Sequence, residues 1–137
     1  MFSTRILSVG YERELLRVRS LLLRQSLGVQ VLEAVDLAAA LRIARGKERV
    51  DLVVLCHTVT TAHQRMIMGA AREQHGDVQA LSILPGMFAA GTVGSPVTND
   101  PEEFVAAVKQ ALQPGPHKRD KRALNRFYER ISVPKER

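Results

Sequence analysis

Cys56 and His57 stand side by side at the end of the apolar run over residues 52–56, and a thiol beside an imidazole is a pairing used in nucleophilic catalysis. The run reads as a buried strand, and in open α/β sheets ligands gather at the carboxyl ends of the strands. Neighbouring strand residues point to opposite faces, however, so the spacing favours a packed, inert Cys56 over a catalytic pair. With 1 Cys in the chain, an internal disulfide and any zinc site needing two thiolates are excluded. The histidines at 57, 63, 75 and 117 are 6, 12 and 42 residues apart, whereas ligand pairs on a helix need i, i+3 or i+4 spacing. No metal is expected. Gly86, Gly91 and Gly94 are followed by no Gly-Lys-Ser/Thr and read as a connection, not a phosphate cradle. No cofactor and no catalytic residue is expected, and the chain reads as a non-enzyme.

The second chemistry-bearing stretch lies in the C-terminal tail. Residues 1–113 hold 12 Lys/Arg against 11 Asp/Glu, while residues 114–137 hold 8 against 3. The break falls at Pro114-Gly115-Pro116, which stops a helix and starts a linker. Beyond it Leu124, Phe127, Tyr128 and Ile131 recur at i, i+3, i+4 and i+7, and Lys118, Arg122, Arg126 and Arg130 step by four along a neighbouring stripe. This spacing predicts a basic amphipathic helix over residues 117–131. Its apolar stripe could take a protein partner, a second copy of the chain or its own domain, and its cations could contact nucleic-acid phosphates.

The elements that must position these residues follow from periodicity. At 137 residues with 45% hydrophobic content the chain suits one domain, over residues 1–113, plus a linker and tail over 114–137. No apolar run approaches the roughly 20 residues of a membrane span, and the N-terminus reads as a strand instead of a leader, so a cytoplasmic location is expected. Strands are expected over 5–10, 29–34, 50–55 and 78–84, with a minimal fifth at Thr92 and Val93. Between them, helices are expected over 11–26 with Leu15, Val18 and Leu22 inward, and over 37–45 capped by Asp36. A third starts at Thr60 or Thr61, with Met66, Ala70 and Ile67 inward, and a last one is capped by Asn99 or Asp100, with Phe104, Val105, Val108 and Leu112 on one face. Between strands four and five, residues 87–91 leave room for one helical turn. The alternation implies right-handed crossovers and a parallel sheet.

This pattern resembles the receiver domain of bacterial two-component response regulators over about residues 4–113. The resemblance rests on residues 6–12 (Ile-Leu-Ser-Val-Gly-Tyr-Glu), on residues 51–56 (Asp-Leu-Val-Val-Leu-Cys), and on Ser95-Pro96 followed by residues 100–104 (Asp-Pro-Glu-Glu-Phe). It implies a flavodoxin-like, doubly wound sheet of five parallel strands in the order 2-1-3-4-5, with the fourth helix reduced. Carried over by position, Gly10 and Tyr11 take the places of the two metal-binding acids, followed by Glu12. Cys56 takes that of the phosphoacceptor, Ser82 that of the switch hydroxyl, and Ser95 that of the phosphate-contacting lysine. Only Ser82 keeps the family's functional group, and phosphoryl transfer needs cations where oxygens gather. The resemblance therefore implies a degenerate, phosphorylation-independent receiver acting as a protein-interaction module in signal transduction. The alternative is a small basic nucleic-acid-associated protein using its tail.

Overall fold

In the computed structural model the described residues are 4–84, 94–97 and 100–113. They form β1 (Arg5–Val9), α1 (Arg13–Leu27), β2 (Gln30–Ala34), α2 (Leu37–Ala44), β3 (Leu52–Leu55), α3 (Thr61–His75), β4 (Gln79–Ile83), β5 (Ser95–Val97) and α4 (Pro101–Leu112). All strand pairs are parallel, and the sheet order is β2-β1-β3-β4-β5. The expected doubly wound sheet is therefore present. The expected turn between β4 and β5 and the tail helix over 117–131 lie outside the described residues.

Strand alternation divides the core into two layers. Leu7, Val9, Val53 and Leu55 face Ala40 and Ala44 of α2 and Ile67, Met68 and Ala71 of α3. Ile6, Leu52, Val54, Leu81 and Ile83 face Leu23 of α1 and Phe104 and Val108 of α4. Because both faces are covered, β3 carries four consecutive buried aliphatic residues, as a central parallel strand must.

Side chains fix three of the helix starts. Asp36 accepts from Ala39 N at 2.7 Å, Thr60 from His63 N at 3.2 Å and Asp100 from Glu103 N at 3.0 Å, each satisfying a donor that the first turn leaves unpaired. Gly28 ends α1 at φ 66°, where a side chain would be strained.

Two expectations are corrected. Val18 is 61% exposed, and α1 instead buries Leu16, Arg19, Ser20 and Leu23, one residue on from the expected stripe. Leucines at 15, 16, 21, 22 and 23 make that helix apolar over a wide arc, so periodicity alone could not fix its rotation on the sheet. Met66 is 49% exposed, whereas Ile67, Met68, Ala70 and Ala71 point inward from α3. The strand paired with β4 is Ser95–Val97, with Ser95, Pro96 and Val97 opposite Leu81, Ser82 and Ile83; Thr92 and Val93, where the minimal fifth strand is expected, lie outside the described residues. Pro96 is tolerated in this strand because at the sheet edge a missing N–H costs no ladder bond.

Candidate functional site

The carboxyl ends of β1, β3 and β4 bring most of the candidate residues to one edge of the sheet. Gly10 follows β1, and its N–H donates to Ala34 O at 3.1 Å. A Cβ added there would lie 3.2 Å from the Cβ of Cys56, tighter than ordinary contact. Gly10 thus leaves room for the Cys56 side chain. Cys56 follows β3, is 2% exposed, and donates its N–H to Val9 O at 2.9 Å. His57, in the turn after β3, is exposed, and its Nδ1 lies 3.7 Å from Cys56 Sγ.

The residue that sequence reasoning missed is Arg19. From the buried face of α1 its Nη1 donates to Cys56 Sγ at 2.9 Å, and the side chain is 6% exposed. The carboxyl end of β3 therefore holds a thiol facing a buried guanidinium. The signal was present in the sequence: Leu16, Arg19 and Leu23 share one helical stripe, so an α1 rotated by one residue carries the arginine inward.

Tyr11 sits at the opening between the β1–α1 turn and the start of α3. Its N–H donates to Thr58 Oγ1 at 2.9 Å, and its hydroxyl lies 2.8 Å from His63 Nδ1. The two rings meet edge to face, 5.9 Å between centroids at 63°. Desolvation, and then the carboxylate of Asp36, pushes the Tyr11 phenol above the ordinary tyrosine value. It therefore remains a protonated donor at neutral pH, giving its proton to Nδ1 when the imidazole carries its own on Nε2. Glu12 is exposed and precedes α1 without a side-chain capping bond.

Ser82, at the end of β4, is 1% exposed, donates to Gln64 Oε1 at 3.3 Å and accepts from Gly94 N at 3.0 Å. Gln64, itself buried, donates Nε2 to Val59 O at 3.0 Å. The hydroxyl is thus built into a network that joins the β3–α3 turn, α3, β4 and the approach to β5. Gln64 was also missed, although residues 64, 67, 68 and 71 trace the inward stripe of α3. Ser95 is exposed, opposite Leu81 in β5 and two strands away from β3. The structure brings Gly10, Tyr11 and Cys56 together, places Ser82 on the adjoining strand, and leaves Glu12 and Ser95 on the surface. The tail candidates lie outside the described residues.

A divalent cation of the kind receivers use, Mg²⁺, wants hard oxygen ligands, usually including carboxylates. Gly10, Tyr11 and Cys56 offer a hydrogen, a phenol already bonded to His63 and a thiol facing a cation. This donor set does not fit Mg²⁺. Among the described residues no group of three His, Cys, Asp or Glu side chains is placed to hold a metal. Among them, too, no helix is long and apolar enough to cross a membrane.

Solved structures share the fold. The receiver domain of the hybrid histidine kinase CckA is 29% identical, with a TM-score of 0.63 over 80% of this chain and 99% of that one. The Vibrio cholerae chemotaxis protein CheY4 is 17% identical, with a TM-score of 0.67 over 81% of this chain and 100% of that one. A response regulator receiver protein from Sinorhizobium medicae is 19% identical, with a TM-score of 0.67 over 80% of this chain and 94% of that one. No protein-family model matches the sequence, and no curated protein does. The chain has the receiver-domain fold.

Proposed function

We propose that this chain is a receiver-type module of bacterial signal transduction that works by protein–protein interaction, without phosphorylation and without catalysis. The observation that supports this most directly is the Arg19–Cys56 pair. Where receivers gather carboxylates around a cation, this chain buries a thiol against a guanidinium at 2.9 Å and has a glycine and an engaged tyrosine beside it. A scaffold kept without its phosphoryl chemistry retains its surfaces, and binding is what surfaces can do. The module acts in the cytoplasm. Its partner is a protein, engaged through Leu124, Phe127, Tyr128 and Ile131, or a second copy of the chain.

The test is an amide NMR titration of the full chain with Mg²⁺ and beryllofluoride or a small phosphodonor. Unchanged spectra are the expected result. Shifts clustered at residues 9–12, 56–58, 82–84 and 95 would overturn the reading. The partner class is tested with a DNA duplex at about 150 mM salt, where cationic contacts are weakened but not abolished. Tight binding that is lost when Arg122 and Arg126 become Gln, and unaffected by Phe127→Asp, would replace the protein partner with nucleic acid.

A further inference from the structure

We propose that the outer face of α3 is a self-complementary docking surface, on which a second copy of this chain packs antiparallel with the two helices crossing at Gly69. This rests on the interaction-module reading and names the partner of one face, but it uses no residue of the tail.

The face consists of Ala62, Arg65, Met66, Gly69, Arg72 and Glu73, which recur at helical spacing and are all exposed, Met66 by 49%. Gln64, Ile67, Met68, Ala70 and Ala71 point the other way, into the core. Gly69 lies mid-helix without a positive φ, and a Cβ added there would meet nothing within 4 Å. Neither the backbone nor packing inside the domain calls for glycine, the poorest helix former after proline. What a bare Cα on an exposed face permits is the close approach of another helix.

The charges around that glycine are symmetric. Arg65 lies four residues before it and Glu73 four residues after it, so each has Gly69 where its own i, i+4 partner would stand. Among the described residues neither makes an ion pair within the chain. A two-fold axis at Gly69 sets Arg65 beside Glu73 of the second copy and Glu73 beside its Arg65, closing two ion pairs at once. The same axis lays Met66 along the aliphatic stem of Arg72 of the second copy, a side chain whose Nε donates to Val78 O at 3.3 Å. A parallel pair would set Arg65 against Arg65 and Glu73 against Glu73. The charges therefore select the antiparallel arrangement.

One pair of 15-residue helices is a small interface, below the roughly 1,200 Å² of standard complexes, so the dimer is weak and forms only as concentration rises. The chain is monomeric at low micromolar protein.

The test is sedimentation equilibrium of the full chain from low micromolar to about 1 mM. Wild type should show a monomer–dimer equilibrium. Arg65→Glu and Glu73→Arg should each weaken it by about tenfold or more, because each places like charges in both symmetric contacts, and the double variant should return to within about threefold of wild type. Gly69→Leu should also weaken the dimer, yet in urea at low micromolar protein it should unfold no more readily than wild type, since leucine is the better helix former. That split separates an interface from a role inside the fold. Circular dichroism confirms that each variant is folded, and the charge swap keeps the test decisive if Gly69→Leu is not. A wild-type chain that stays monomeric throughout would overturn the proposal. So would a dimer that the single charge variants leave unchanged or the double variant fails to restore, and so would one lost in Phe127→Asp but untouched by Arg65→Glu, which assigns self-association to the tail. Amide shifts with beryllofluoride would instead overturn the phosphorylation-independent reading and leave this result standing.

Discussion

Arg19 Nη1 and Cys56 Sγ are 2.9 Å apart and both side chains are buried, although 37 residues separate them in the chain. Sulfur is a weak acceptor, but here it faces a buried charge. Removing the acceptor costs more than removing the apolar atoms. Cys56→Val, close in volume and apolar, should destabilise by about 1–3 kcal/mol, because one partner of a buried cation is lost. Cys56→Ser retains an acceptor and should cost less. Urea melts of the two variants check the order, which is the reverse of that expected for a site that only packs.

Leu55 is fully buried in β3, in the layer facing α2 and α3. Leu55→Ala should cost about 2–5 kcal/mol, the transfer term plus the cavity left behind. The shift in denaturation midpoint at unchanged m-value measures it.

Gly94→Ala places a methyl 2.7 Å from the Ala80 carbonyl, a backbone group that cannot rotate away. The β4–β5 pairing must open, at about 1–3 kcal/mol for overpacking of this kind. Gly69→Ala is the control. Its Cβ would meet nothing within 4 Å on an exposed turn of α3, so it should stabilise by about 0.5–1 kcal/mol through helix propensity. Thermal melts of the two alanine variants should move in opposite directions.

The raised Tyr11 pKa makes a signed prediction at alkaline pH. Unfolded tyrosine ionises near pH 10, whereas in the folded protein burial and Asp36 hold the phenol protonated to higher pH. Above the unfolded value the folded state binds more protons than the unfolded one, so stability falls as pH rises. The contribution is intact below about pH 10 and is lost as pH climbs through the folded value. Tyr11→Phe should flatten that alkaline decline while lowering stability at neutral pH through loss of the His63 bond. Chemical denaturation from pH 8 to 11 checks both; an equally steep decline in Tyr11→Phe would disprove it.

Strand and helix order was legible from residues 4–84 because each element carries its own local signal. β3 is a continuous aliphatic run, Asp36, Thr60 and Asp100 cap three helices, and Gly28 closes α1. That Gly10, Tyr11 and Cys56 follow the first and third strands was equally legible, since residue identities need no coordinates. What those residues face was not. Arg19 belongs to a helix with two competing apolar stripes, and only packing on the sheet chose the one that turns it inward to Cys56. The Tyr11–His63 bond and the Ser82–Gln64–Gly94 network join residues 52, 18 and 12 positions apart. Periodicity reports which way a side chain points relative to its own element, and long-range pairing depends on how elements rotate and register against each other. The same holds for β5, where Pro96 stands in a strand at the sheet edge, a place that needs no N–H and that only the sheet order reveals.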